Sequence, residues 1–98
     1  MGATRTPGAG PLERDALDAA MRVEGLRPAW WGNAPGDTYG WHEHAYHKVL
    51  YCQAGSITFH TRDGDVRLQA GDRLDLEPGT QHAATVGPDG VTCVESPR

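Results

Sequence analysis

Short apolar runs, separated by Gly, Pro and Asp, fill the chain from Pro28 onward. Their period-two alternation predicts strands near residues 28–32, 39–44, 47–54, 56–61, 65–69, 73–77, 82–87 and 91–95. Ile57 and Phe59 illustrate the pattern, because alternate side chains of a strand share one face. Asp63-Gly64 lies between two of these runs and is typical of a tight hairpin. Many short strands without a second helix predict one all-β sandwich or barrel over residues 27–98.

The segment before Pro28 has a different texture. Residues 1–10 are small and polar, and we expect a flexible N-terminus there. Pro11 is suited to the first turn of a helix and Gly25 to its end, which predicts a helix within residues 11–26. We expect it to pack on the outside of the barrel through an apolar stripe at helical spacing, formed by Leu12, Ala16, Ala19, Ala20 and Val23.

Length and charge narrow the class of protein. The 98 residues are enough for one domain with one core, and 13 acidic against 9 basic residues leave a formal net charge of −4. The arginines are scattered, so no basic stripe for nucleic acid is expected. Apolar runs are too short to cross a membrane, and the N-terminus lacks the apolar core of a secretory signal. We therefore expect a cytoplasmic protein whose Cys52 and Cys93 are small buried thiols.

Histidines supply the most informative chemistry. His42 and His44 are spaced to share one face of an extended segment, and His82 follows a Pro-Gly turn about forty residues later. Neutral imidazoles with open coordination positions are suitable ligands for a catalytic divalent metal. Their alternative role is that of hydrogen-bonded residues inside a barrel without metal. His47 replaces one of them only if the register shifts, and His60 is expected on the surface.

Two glycine-anchored blocks carry a resemblance to a known family. Gly36, His42, His44, Lys48 and Gly55 form the first; Gly71-Asp72, Pro78-Gly79 and His82 form the second. Together they resemble the two motifs of the cupin superfamily, in its small single-barrel form. The resemblance implies a double-stranded β-helix (jelly-roll) barrel, usually a homodimer, with a divalent transition metal bound by His42, His44 and His82. Fe²⁺ is favoured, with Zn²⁺, Mn²⁺, Ni²⁺ and Cu²⁺ as alternatives.

Lys48 departs from the cupin pattern, which has a metal-binding glutamate at this position. A protonated lysine cannot bind a metal, so Lys48 either turns away, loses its proton through burial, or faces an anionic ligand. If it faces the site, we expect it to act in catalysis by holding the carboxylate of a substrate. Tyr39, Trp41 and Tyr46 are the candidates for lining a substrate pocket.

Three classes of function follow. The first is a metal-dependent enzyme, of dioxygenase or isomerase type, acting on a small organic acid or diketone. The second is a non-catalytic module that binds or senses a sugar or small acid, with or without metal. A metal-free barrel with a purely structural role is the third alternative.

Overall fold

A computed structural model describes residues 2–98 of the chain, which form one helix and seven strands in a single antiparallel sheet. In chain order the elements are β1 (Ala3–Thr6), α1 (Arg14–Val23), β2 (Ala29–Asn33), β3 (Thr38–His42), β4 (Lys48–Thr61), β5 (Gly64–Gln69), β6 (Arg73–Leu76) and β7 (His82–Pro97). The prediction of an all-β fold with one short helix is confirmed. No helix among residues 2–98 is long and apolar enough to span a bilayer.

Two long strands organise the sheet. β4 and β7 pair along their whole length, and each bends so that its two halves take different partners. β4 pairs with β6 and then with β5, whereas β7 pairs with β3 and then with β2. The predicted strands 47–54 and 56–61 are thus one strand, as are 82–87 and 91–95. Gly55 stands at the bend with a φ of 76°, and a Cβ there would lie 2.0 Å from the carbonyl oxygen of Gly90, so only glycine fits.

The alternation predicted from the sequence matches the interior of the barrel. Leu50, Cys52, Ile57 and Phe59 of β4 belong to one buried cluster, completed by Leu68, Leu74, Leu76, Ala84, Val86, Val91 and Cys93. The predicted hairpin is also confirmed, since Thr61 pairs with Gly64 across the turn between β4 and β5. The interior therefore follows the period-two pattern within each half of β4, and register shifts between Cys52 and Ile57 separate the two halves.

The helix packs outside the barrel through residues other than those predicted. Leu17 and Met21, one turn apart, are buried against Val49 and Val94, whereas Val23 is 90% exposed. The predicted stripe was wrong because the larger side chains at i and i+4 bury more apolar area than alanines do. The helix begins at Arg14, not Pro11: the Glu13 side chain accepts a hydrogen bond from the backbone N–H of Ala16 at 2.8 Å.

The N-terminal segment is ordered where flexibility was expected. Ala3–Thr6 pair with β6, and Met1 lies outside the described residues. The buried carboxylate of Asp72 accepts hydrogen bonds from the Arg5 side chain at 3.0 Å and from the backbone N–H of Gly8 at 2.9 Å. A third bond, from the N–H of Gln69 at 2.9 Å, closes the local turn. The N-terminal segment is held in place by the carboxylate of Asp72, a hydrogen-bond acceptor that lies more than sixty residues further along the chain.

Candidate metal centre and ligand cavity

Three histidines meet at one end of the barrel. His42 ends β3, His82 begins β7 directly opposite it, and His44 lies in the loop that follows β3. Their ligand atoms all lie within 4.8 Å of one another. The structure thus brings together the three residues predicted from the sequence. The sequence predicted that His42 and His44 share one face of a strand. Only His42 lies in a strand, because β3 ends before His44.

Backbone carbonyls fix the rings of two of these histidines. The Nδ1 of His42 lies 2.7 Å from the carbonyl oxygen of Gly40, and the Nδ1 of His82 lies 2.8 Å from that of Thr80. A carbonyl oxygen only accepts, so Nδ1 carries the proton and Nε2 keeps its lone pair. Histidine ligands of metals are commonly oriented in this way, by a hydrogen bond from the nitrogen that does not bind the metal.

The third imidazole provides the test of whether a metal fits. His44 Nε2 is the one buried side-chain nitrogen or oxygen within residues 2–98 that has no hydrogen-bond partner. Such an atom normally costs free energy, and a metal ion would use its lone pair. The donor set, three nitrogens with no carboxylate among them, is suited to a divalent transition metal. The residues present therefore fit a metal.

Electrostatics favours the neutral imidazoles that a metal requires. Burial lowers the pKa of His82, against a smaller opposite effect of its hydrogen bond to Thr80. Burial also lowers the pKa of His44, and the nearby charge of Lys48 acts in the same direction. Both side chains thus favour the form that donates a lone pair.

Lys48 points into the barrel, where its charge meets a carboxylate that the sequence analysis missed. Its Nζ lies 3.2 Å from Oε2 of Glu95, and the indole N–H of Trp31 donates to Oε1 of Glu95 at 2.8 Å. Of the three options for Lys48, turning away is excluded, and the anion it faces is the chain's own Glu95, where the sequence led us to expect an anionic ligand. The sequence signal for Glu95 was its alternation with Val91 and Cys93 along β7. Both of these residues are buried in the core, so Glu95 is expected on the same, inner face.

A cavity of about 260 Å³ opens beside the histidines. Its apolar wall consists of Leu50, Ile57, Phe59 and Ala84. Its polar groups are those of His42, His82, Lys48 and Glu95, and Trp31 and Tyr39 complete the lining. An apolar hollow with a few convergent polar groups is the usual form of a small-molecule site.

The three aromatic residues predicted to line a pocket have different surroundings. Tyr39 lines the cavity, and its hydroxyl donates a hydrogen bond to the side chain of Asn33. Trp41, which is next to His42 in the sequence, does not line the cavity. Its ring lies outside, where the Arg62 guanidinium covers it at 3.7 Å from the ring centroid. Tyr46 is likewise absent from the lining and packs its ring 5.1 Å from that of His44.

The remaining histidines and the cysteines lie apart from the centre. His47 pairs with Asp75 at 2.7 Å, and the two nitrogens of His60 contact Asp65 and Thr85. Both cysteines are free and fully buried, as expected, and they face each other between β4 and β7. A hydrogen bond to Cys52 and burial raise the pKa of Cys93, so this thiol stays protonated.

Known structures share this fold. A cupin-2 domain protein from Shewanella frigidimarina aligns with a TM-score of 0.58 and 24% identity over 74% of this chain and 69% of the other. A double-stranded β-helix protein from Klebsiella pneumoniae gives 0.64 and 25% over 71% and 64%. A structure of DMSP lyases gives 0.63 and 30% over 74% and 37%. The chain thus spans under two thirds of the length of the second and third relatives.

A family model that matches most of the sequence shows the family to which this chain belongs. A search of curated proteins finds no significant match. Residues 32–93, more than half of the chain, match the family described as AraC-like ligand binding domain. Together with the fold of the Shewanella and Klebsiella proteins, this confirms the resemblance seen in the sequence. The chain is a small cupin with the double-stranded β-helix fold, and it belongs to the AraC-like ligand binding domain family.

Proposed function

We propose that this protein binds a divalent transition metal through His42, His44 and His82 and holds a small organic acid in the adjoining cavity. The observation that carries the proposal is the buried Nε2 of His44, which has no partner among residues 2–98. It lies with the two other imidazoles, whose Nδ1 atoms are already bonded to carbonyls. The Nε2 atom of His44 and the side chain of His82 are shielded from water, and a buried lone pair without a partner is unfavourable unless a cation uses it.

The chemistry of the donors guides the choice of metal. Neutral imidazoles suit Fe²⁺, Zn²⁺, Ni²⁺, Cu²⁺ and Mn²⁺, and we favour Fe²⁺. When bound, the metal would supply a Lewis acid with open positions beside the cavity. The other functions of the site are those of protein side chains. The apolar wall excludes water, and Lys48 offers a cation to the carboxylate of the ligand. Tyr39 would contact its apolar part, with Trp41 and Tyr46 outside the cavity proper.

An enzymatic role at this site is the second candidate. The relative described as DMSP lyases is 30% identical over 74% of this chain, which favours a site able to act on a small carboxylic acid. In that role Lys48 would bind the substrate carboxylate and fix its orientation, whereas iron would suit a dioxygenase. DMSP consumption and oxygen uptake by the metal-loaded protein distinguish lyase from oxygenase activity, and neither is expected of a binding module. The homodimer and the cytoplasmic location stay predictions.

Elemental mass spectrometry of protein purified without a histidine tag tests the metal. We expect near-stoichiometric transition metal in the wild type and in His60→Ala, and its loss in His82→Ala. His60 is the matched control because it is a histidine bonded only to surface partners. Absence of metal from the wild type, even after anaerobic reconstitution, would overturn the metal centre. Equal metal content in the two variants would show that the metal is bound elsewhere.

A further inference from the structure

Glu95 is a fixed carboxylate in the wall of the cavity. Lys48 holds one of its oxygens at 3.2 Å, and the Trp31 indole N–H holds the other at 2.8 Å. The lysine side chain is 11% exposed and that of Glu95 28%, so the pair is largely shielded from water. Because both oxygens are anchored, the acceptor keeps one position and orientation, as a binding group requires.

This carboxylate changes what Lys48 can do. Since Lys48 is already paired, a plain carboxylate ligand competes with Glu95 for the ammonium group and is repelled by Glu95 at the same time. The fixed side-chain charges of the wall, one positive and one negative, cancel, so the wall presents a dipole. A ligand that matches a dipole carries its own anion and its own hydrogen-bond donor close together. Glu95 retains lone pairs for such a donor, because a carboxylate accepts several hydrogen bonds.

We propose that Glu95 is the specificity-determining residue of the cavity and selects small carboxylic acids that carry a hydroxyl or ammonium group on the carbon next to the carboxylate. The proposal rests on the ligand-binding part of the proposed function. The ligand carboxylate meets Lys48, and the neighbouring donor meets Glu95. The cavity of about 260 Å³ limits the remainder of the ligand to a short chain, which Leu50, Ile57 and Phe59 contact.

Calorimetric titration with three acids of similar size tests the selectivity. Lactate has the hydroxyl, alanine the ammonium group, and propionate neither. We expect lactate or alanine to bind about tenfold or more tightly than propionate, as for a hydrogen bond to a charged acceptor. In Glu95→Gln this preference is expected to collapse. In Lys48→Met all acids should bind more weakly, with the preference retained.

Metal chelation by the lactate hydroxyl is the competing explanation of such a preference. A preference in Glu95→Gln equal to that of the wild type, or no preference in the wild type, would overturn the proposal. The titrations are made on zinc-loaded and on metal-free protein, which share the cavity wall. A protein that takes up no metal but keeps the Glu95-dependent preference contradicts the metal centre alone. A protein that takes up metal without this preference contradicts the specificity role alone.

Lys48 is the single lysine of the chain, which supplies a second measurement. Isotope labelling of lysine Cε gives one side-chain NMR signal, and we expect lactate or alanine to shift it. A saturating ligand that leaves the signal unmoved would overturn the proposal. If Glu95→Gln does not fold, the double variant Lys48→Met with Glu95→Gln removes both charges together. It is expected to lose the preference, and retention of the preference there contradicts the role of Glu95.

Discussion

Replacing His44 by leucine is expected to stabilise the metal-free protein while removing metal binding. His44 Nε2 is buried without a partner among residues 2–98, and such an atom costs about 1–3 kcal/mol. Leucine removes the polar atom but also some contact with the Tyr46 ring, whose centroid lies 5.1 Å away. We therefore expect His44→Leu to raise the free energy of unfolding of the metal-free protein by about 1 kcal/mol.

Thermal and urea denaturation in the presence of a chelator measure this effect. For a domain of this size, a change of about 1 kcal/mol corresponds to a shift in Tm of roughly 4–8 °C. With zinc at a hundredfold excess over its Kd, the wild type should gain about 2.7 kcal/mol and His44→Leu nothing. The order of stability of the two proteins is then reversed by the metal. His60→Leu is the control, because both nitrogens of His60 have partners and their loss should not stabilise.

Two results would refute this reasoning. If His44→Leu lowers the free energy of unfolding of the metal-free protein by more than about 1 kcal/mol, His44 makes stabilising interactions that outweigh the unpaired nitrogen. If zinc still raises the Tm of His44→Leu as much as that of the wild type, His44 is not a ligand. The first result would contradict the argument from the unpaired nitrogen of His44, and the second would contradict its role as a metal ligand.

Three further predictions concern charge, acid stability and packing. Lys48→Glu, which replaces a cation beside the histidines by an anion, should tighten zinc binding by about tenfold or more in a chelator competition, and unchanged affinity would contradict this. Asp72→Asn should lower the free energy of unfolding by about 1.5–3 kcal/mol at neutral pH. Burial raises the pKa of Asp72, but the N–H groups of Gln69 and Gly8 and the charge of Arg5 outweigh it, and the net pKa is lowered. Its stabilisation is thus present above the unfolded pKa and lost as pH falls through the folded one, so urea titrations should show less acid sensitivity in Asp72→Asn, and equal sensitivity would be the contrary result. Met21→Ala should cost about 2–5 kcal/mol in urea denaturation without loss of metal, because Met21 is buried under the helix, and loss of metal would be the contrary result.

Local patterns predicted the parts of the fold that local physics determines. The alternation in the second half of β4 placed Ile57 and Phe59 on one face, and Asp63-Gly64 marked the hairpin, because each depends only on neighbouring residues. The strand Ala3–Thr6 could not be predicted in this way. Its partners are β6 and the carboxylate of Asp72, which become neighbours only after the barrel has closed.

The same distinction explains the site. His42 and His82 could be predicted because each belongs to a recognisable motif. In the fold the two motifs are adjacent, and the two histidines face each other across β3 and β7. Glu95 was missed because nothing near it in the sequence carries chemistry. Its apolar neighbours on the same face, Val91 and Cys93, predict an interior position for it, and a charged residue at such a position requires a partner.

Lys48 and Glu95 therefore have to be interpreted together. Leu50 is the residue of β4 opposite Glu95, so Lys48, two positions away on the same face, is its diagonal neighbour and within reach of a long side chain. The cupin pattern has a carboxylate where Lys48 stands; here the carboxylate of the cavity comes from the neighbouring strand. That shift leaves the three imidazoles as the proposed metal ligands and gives the carboxylate a different partner, the ammonium group. At the position where the cupin pattern has a metal-binding carboxylate, this chain thus has one half of a charge pair in the wall of the cavity.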